Sequence, residues 1–239
     1  MADEIEDFDD DLDLTLYADP VELLSQVLSQ LNEKIKIGLR VNGEFHLALT
    51  GGTLGADLSK ALVEECNANP DRYQGLHIWW SDERFVERNS QEQNSAPLLR
   101  TLTNSAITIH FVKASDEVSS IDEAVADYSR ELGENFMDLT ILGLGPDGHI
   151  ASLFPGAAHI DRLEKVIAIT DSPKPPAVRA TFTLSMINAS TLVWIIAAGA
   201  SKADAVTKII EGDLSIPASY VRAADHTRLI ADTDAFFTE

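Results

Sequence analysis

His149 follows directly on the run Gly143-Leu144-Gly145-Pro146-Asp147-Gly148, at the end of the apolar stretch LTILG. A histidine thrown out at a tight turn is suited to general base chemistry, because its ordinary pKa lies near working pH. Two carboxylates could orient the ring or steady its charge: Asp147, in the same run, and Asp82, in Ser81-Asp82-Glu83-Arg84. Their spacing leaves both open. A histidine that only caps a helix or bonds the turn backbone fits the residues equally well. Read literally, the run also matches the G-x-G-x-x-G dinucleotide pattern. Asp147 would repel a pyrophosphate there, and Pro155 leaves little room for the helix such a motif opens. The glycines are better read as a turn that presents His149.

A second group of residues could hold an anion. Thr50-Gly51-Gly52-Thr53 stands between a strand pattern and a helix pattern. Glycines admit close backbone approach, and a helix start offers free N–H groups. No Gly-Lys-Ser/Thr follows, so this is not a Walker loop. A turn required only by sheet geometry remains an equal reading. Arg84, Arg179 after Pro173-Lys174-Pro175-Pro176, and Lys202 are possible phosphate ligands; each alone also reads as a surface cation. The six histidines show no metal-ligand spacing, so no metal is expected. Cys66 is the single cysteine and falls late in a helical pattern, where a packed thiol is the simpler reading.

These residues need elements to position them. Asp19-Pro20 reads as a helix start, followed by Leu23, Leu24, Val27, Leu28, Leu31 and Ile35 at helical spacing. Strands are expected at 14–17, 44–50, 76–80, 107–112, 138–142, 166–170, 192–198 and 227–231. Helices are expected at 54–65, 121–132 and 201–210, with a short one at the end. Several strands are apolar almost throughout. This predicts an α/β fold, a Rossmann-like and mostly parallel sheet with helices on both faces. Ligands then bind at the carboxyl ends of the strands. The loops at 50–53, 81–84, 145–149 and 199–202 all fall there.

Composition narrows the function. The chain has 239 residues, 45% of them hydrophobic, enough for one large core. Its net charge of -21 disfavours nucleic acid and anionic membrane as partners. No apolar run approaches the ~20 residues of a membrane helix. With one cysteine and no visible secretory signal, a cytoplasmic location is expected. Residues 1–13, rich in Asp and Glu, read as a disordered acidic tail, and 14–239 as a single α/β domain.

With the loops in order, the chain resembles a known family. TGGT, WWSDERFV with Asn94 shortly after, LGLGPDGHIASLFPG, VRATFTL, AAGASKADAV and IPAS, in that order, resemble 6-phosphogluconolactonases. The resemblance runs from about Leu14 to Phe237. It implies a fold like that of glucosamine-6-phosphate deaminases and ribose-5-phosphate isomerase. It also implies hydrolysis of 6-phospho-D-glucono-1,5-lactone to 6-phosphogluconate in the oxidative pentose phosphate pathway, with no cofactor, by a monomer or small homo-oligomer. By position, His149 matches the family's general base, with Asp147 and Asp82 as its candidate partners. Gly51, Gly52, Thr53, Arg84, Arg179 and Lys202 match positions around the sugar phosphate. Gly55 departs from the pattern by standing where the family's glycine loop has proline. The related deaminases resemble the chain through the DGH loop but continue as DGHIAFNEPG, with a glutamate for ring opening where this chain has Phe154.

Overall fold

The computed structural model describes residues 12–157 and 160–236. In chain order the regular elements are β1 (Leu12–Tyr17), α1 (Pro20–Asn42), β2 (Phe45–Leu49), α2 (Gly52–Ala68), β3 (Leu76–Trp80), β4 (Asp82–Arg84), α3 (Ala96–Leu99) and β5 (Thr108–Ile109). They continue as α4 (Ile121–Leu132), β6 (Leu139–Gly143), β7 (Val166–Ile169), β8 (Arg179–Phe182), α5 (Leu184–Asn188), β9 (Leu192–Ala197), α6 (Ala203–Ile210), β10 (His226–Asp232) and α7 (Thr233–Phe236).

Seven strands form one sheet in the order β1-β10-β9-β6-β2-β3-β5, every pairing parallel. From β2 the chain builds outward through β3 and β5. It then returns to β6 on the other side and builds through β9 and β10. The order reverses between β2 and β6, and a crevice opens there beyond the strand ends.

The strands alternate between two cores, as a period of two demands. Phe45, Leu47 and Leu49 of β2, with Trp194 and Ile196 of β9, join Leu23, Val27, Leu31 and Ile35 of α1 in one cluster. Ala48, Val193, Ile195 and Ala197 face the other cluster, with Tyr128 of α4 and Val206 of α6. Both faces are therefore apolar and covered. The long helix α1 begins where Asp19 accepts hydrogen bonds from Val21 N and Glu22 N, each at 2.8 Å. It ends at Gly43, whose φ of 81° is the left-handed conformation that closes helices. No described helix is long and apolar enough to cross a membrane.

The structure departs from the sequence reading in a second sheet. β4, β8 and β7 form a three-stranded antiparallel sheet. Of the segment 81–84, expected as a loop, Asp82–Arg84 forms an edge strand of that sheet. The strand at Val166–Ile169 belongs there too, and Arg179, directly after the 173–176 turn as expected, opens β8, a strand the sequence did not suggest. β4 and β8 are short and carry charged residues, so periodicity does not mark them, whereas the apolar β7 was expected. Phe182 and Val166 join the cluster that contains Trp79 and Val193, so the small sheet packs on the large one.

Boundaries shift as well. β1 starts at Leu12, so Asp13, read as tail, is in a strand; the rest of the expected tail lies outside the described residues. Regular pairing in the 107–112 stretch is limited to Thr108–Ile109. Residues Ala200–Lys202 form a 3-10 turn before α6, and Leu184–Asn188 adds a helix that periodicity did not suggest.

Candidate active site at the switch point

The loops after β2 and β6 meet at the crevice. Gly143 N donates to Thr50 Oγ1 at 3.2 Å and ties the two strand ends together. The turn after β6 is closed by Gly148 N to Gly145 O (2.9 Å) and Gly145 N to His149 O (2.8 Å). Gly148 has φ of 78°, which suits glycine. Gly145 is needed for a different reason. A Cβ there would lie 1.9 Å from His149 Nδ1 and 2.6 Å from Asp147 Oδ1. The turn therefore brings those two side chains over bare backbone.

His149 Nδ1 donates to Asp147 Oδ1 in a short contact. That bond fixes the neutral ring with its proton on Nδ1 and leaves the Nε2 lone pair for the cleft. Phe154 stacks on the ring at 4.6 Å. Burial pushes the His149 pKa below its ordinary value, although the bond to Asp147 opposes the shift. Desolvation would raise Asp147, but the His149 bond and Lys174 outweigh it and hold the carboxyl at about 2. Asp147 stays ionised throughout the range in which His149 titrates.

Asp82 does not bond His149. Its Oδ1 accepts from Asn94 Nδ2 at 3.0 Å and its Oδ2 from Ser152 Oγ at 2.7 Å. Arg179 Nη1 stands 3.9 Å from the same Oδ2. Of the two carboxylates left open by spacing, the structure pairs Asp147 with the histidine and places Asp82 across the cleft in a buried network.

Glu83 builds that wall. Its carboxylate, almost fully buried, accepts the backbone N–H groups of Arg84 (2.8 Å), Asn94 (2.6 Å) and Ser95 (2.9 Å). Burial raises its pKa, and the three donors oppose the rise. The result is to pin the 94–95 segment to β4 and hold Asn94 against Asp82. Gly51 allows the approach, since a Cβ there would meet Asn94 Oδ1 at 1.9 Å.

A cleft of about 300 Å³ gathers these groups, lined by Gly51, Gly52, Thr53, Asp82, Arg84, Asn94, His149, Lys174, Arg179 and Lys202 among others. Every candidate catalytic or phosphate-binding residue read from the sequence lines it except Asp147, which bonds His149. A larger hollow of about 490 Å³ adjoins it across the glycine loop, walled by Pro20, Val21 and Leu24. It shares Gly51, Gly52, Thr53 and Lys202 with the smaller cleft, and its lining has one carboxylate, Asp57, and no histidine.

The cations differ in availability. Arg179 donates Nε to Pro176 O (2.9 Å), Nη2 to Lys174 O (2.7 Å) and Nη1 to Ser152 Oγ (3.2 Å). Most of its donors brace the protein, and it supplies charge more than free N–H groups. Arg84 gives Nη1 to Glu92 O at 2.7 Å, while its Nε is buried without a hydrogen-bond partner. Asn94 Oδ1 is likewise buried and unpartnered. An unmet donor and an unmet acceptor in one cleft are costly unless a ligand satisfies them. Burial, and then the neighbouring Lys174, depress the pKa of Lys202.

Position 55 explains its own departure. A Cβ there would lie 2.5 Å from Thr50 O and 2.8 Å from Thr50 Cγ2. A glycine at 55 accommodates the threonine at 50, and α2 still starts at Gly52.

Sequence reasoning missed the contact of Lys174 with the pair, the bond of Ser152 to Asp82, the stacking of Phe154 on His149 and the bracing role of Glu83. It also missed a cluster at the opposite end of the sheet, where ligand-type atoms of Glu44, His46 and His77 lie within 4.8 Å of one another. The histidines come from different strands, so chain spacing cannot reveal them. Trp79 Nε1 donates to His46 Nδ1 at 3.1 Å. Neutral His46 therefore carries its proton on Nε2, 3.9 Å from Glu44, and offers no lone pair to a metal there. Cys66 is buried in the core, which pushes its thiol up to about 12.

Fold and cleft define a class: an α/β protein with a histidine–carboxylate pair facing a cation-lined switch-point cleft suited to a small anion. Residues 18–230 match the model of the glucosamine-6-phosphate isomerase/6-phosphogluconolactonase family, and the chain belongs to that family. The 6-phosphogluconolactonase of Streptomyces coelicolor is 32% identical over 93% of this chain and 92% of its own. That of Rattus norvegicus is 35% identical over 87% of this chain and 86% of its own. Among solved structures, 6-phosphogluconolactonase from Thermotoga maritima superposes with a TM-score of 0.82 at 26% identity, over 93% of this chain and 100% of that one.

Proposed function

We infer that this chain is a lactonase that hydrolyses 6-phospho-D-glucono-1,5-lactone to 6-phospho-D-gluconate, in the oxidative pentose phosphate pathway. The observation that carries the reading is the Asp147–His149 pair, whose free Nε2 lines a cleft containing Arg84, Arg179 and Lys202. The lactonase names of the relatives support it.

The geometry supports the following steps. The start of α2 at Gly51, Gly52 and Thr53, with Arg84, Arg179 and Lys202, holds the phosphate. Asn94 Oδ1 and Asp82 take hydrogen bonds from sugar hydroxyls. His149 Nε2 removes a proton from water, and the water oxygen bonds to the lactone carbonyl carbon. Asp147 steadies the imidazolium. When the tetrahedral intermediate collapses, the ring C–O bond breaks and His149 returns its proton to the leaving oxygen. General base help supplies ~10²–10⁴-fold, and positioning by the phosphate supplies more.

Phe154 argues against a deaminase. It is buried and stacked on His149 at the position where the related deaminases carry their ring-opening glutamate. An apolar ring cannot move a proton. The same reading has the protein act in the cytoplasm as a monomer or small homo-oligomer, without cofactor or metal. The charge of -21 supports the absence of nucleic-acid and anionic-membrane partners.

The test is turnover of freshly generated lactone above its spontaneous hydrolysis, with glucosamine 6-phosphate assayed alongside. Lactone acceleration is expected. Ammonia release from the amino sugar without lactone turnover would make the chain a deaminase. Tight binding of the sugar phosphate with neither reaction would make it a sensor.

A further inference from the structure

Lys174 comes from the turn before β8 and reaches the pair formed by the loop after β6. Its Nζ lies 3.1 Å from Asp147 Oδ1, the same oxygen that receives His149 Nδ1, and 3.0 Å from His149 Nδ1 itself. One carboxylate oxygen thus serves two cationic or potentially cationic neighbours. The ammonium cannot donate to Nδ1 while that nitrogen carries the proton given to Asp147. The productive contact is therefore the ion pair with Asp147, and the closeness to the ring is a repulsion that appears only when the ring is charged.

We propose that Lys174 is a positioning residue of the lactonase reaction, one that divides the Asp147 charge between itself and His149 and so keeps the imidazole a free base. This inference rests on the reading of His149 as general base.

The physical argument is a balance of charges around one ring. Asp147, on its own loop, favours the imidazolium. Asp82, on β4, favours it from farther away. Lys174 disfavours it directly, and its ion pair with Asp147 Oδ1 offsets part of the negative charge that favours it. Arg179 and Lys202 line the same cleft and add positive potential. A lone aspartate bonded to a histidine raises the ring's pKa and protonates part of the base at neutral pH. Burial opposes that cost first, and the lysine adds to the opposition, while the hydrogen bond still fixes the tautomer and aims Nε2. The turn 173–176 is itself held by Arg179, which donates to the carbonyls of Lys174, Pro175 and Pro176. β8 therefore anchors the lysine that faces the pair.

The experiment compares wild type, Lys174→Met and Lys174→Arg by two readouts. One is the pH profile of kcat/KM, whose acid limb reports the base in the free enzyme. The other is an NMR titration of the His149 ring without substrate. In Lys174→Met both midpoints should rise by roughly half a unit to one unit, as expected when a like charge within ~4–6 Å is removed from a partly screened site. Lys174→Arg should restore them. A ring titration that stays put, or moves down, overturns the proposal. A uniform loss of rate at every pH with no moved limb overturns it too. A titration that moves while the acid limb does not would show that His149 is not the base, and the reading beneath the proposal would fall instead.

Discussion

Arg84 of β4 and Arg179 of β8 are direct register partners in the antiparallel pair of the small sheet. Residues so paired project to the same face, and like charges there repel. Burial lowers the pKa of Arg179 first, and the charge of Arg84 adds to the fall. Arg179 is braced by carbonyls and Ser152, whereas Arg84 keeps a buried, unpartnered Nε. On the proposed function, these two guanidinium groups are the seat for the substrate's phosphate.

Arg84→Ala should therefore lower kcat/KM on the phosphorylated lactone by roughly tenfold to a hundredfold, the worth of one charge-assisted hydrogen bond. On unphosphorylated gluconolactone the same variant should lose little. Arg84→Lys should recover only part of the defect, because a lysine keeps the charge without the fork. Equal losses on both substrates would take Arg84 out of phosphate binding.

His149→Asn should lower the enzymic acceleration by ~10²–10⁴-fold with little change in Tm, since the ring lines the cleft. In wild type, kcat/KM should hold as pH falls through the ordinary histidine value and drop only at the lower, folded value. Burial, the largest influence on the ring, sets this direction. Survival of the rate in the variant would move the base elsewhere, to Asp82 first.

Gly145→Ala tests the turn rather than the chemistry. Its methyl would sit 1.9 Å from His149 Nδ1, so the Asp147–His149 pair must separate or the turn must shift. Activity should fall by about tenfold or more, because small displacements of a base cost orders of magnitude. The circular dichroism spectrum should be unchanged.

Glu83→Ala should be the most destabilising of these changes. It leaves the N–H groups of Arg84, Asn94 and Ser95 without their acceptor, each worth about 1–3 kcal/mol when buried. A loss of about 3 kcal/mol or more is expected in urea unfolding, with activity falling because Asn94 is freed. Glu83→Gln should lose less, as one oxygen still accepts.

The far end of the sheet predicts an acid sensitivity unrelated to catalysis. His110 Nδ1 donates to Glu131 at 2.7 Å, and its Nε2 meets His77 Nδ1 at 2.9 Å. Burial lowers the pKa of His46 and of His110, with nearby His77 adding to both shifts. Below about pH 6.5 the unfolded chain then binds more protons than the folded one. Stability present above that value is lost as pH falls. Urea midpoints at pH 8 and pH 5.5 should show the decline, and His46→Gln should lessen it.

Much of this protein is legible in its residues. The two-sided apolar strands require a parallel sheet with helices on both faces, and parallel strands require their loops to emerge together at one end. That reasoning brings Gly51, Gly52, Thr53, His149 and Lys202 to one crevice without coordinates. The helix starts at Asp19 and the turn glycines are equally local, because caps and turns depend on neighbours in the chain. Which carboxylate meets His149 is not local in this sense. Asp82 and Asp147 differ by no sequence rule, and only the closed turn over Gly145 decides between them. The small antiparallel sheet, the face-to-face arginines, Lys174 at Asp147 and the stacked histidines at the opposite edge all join residues from distant segments. Short polar strands carry no periodicity, and side-chain pairs formed across them depend on register, which packing of the whole chain sets.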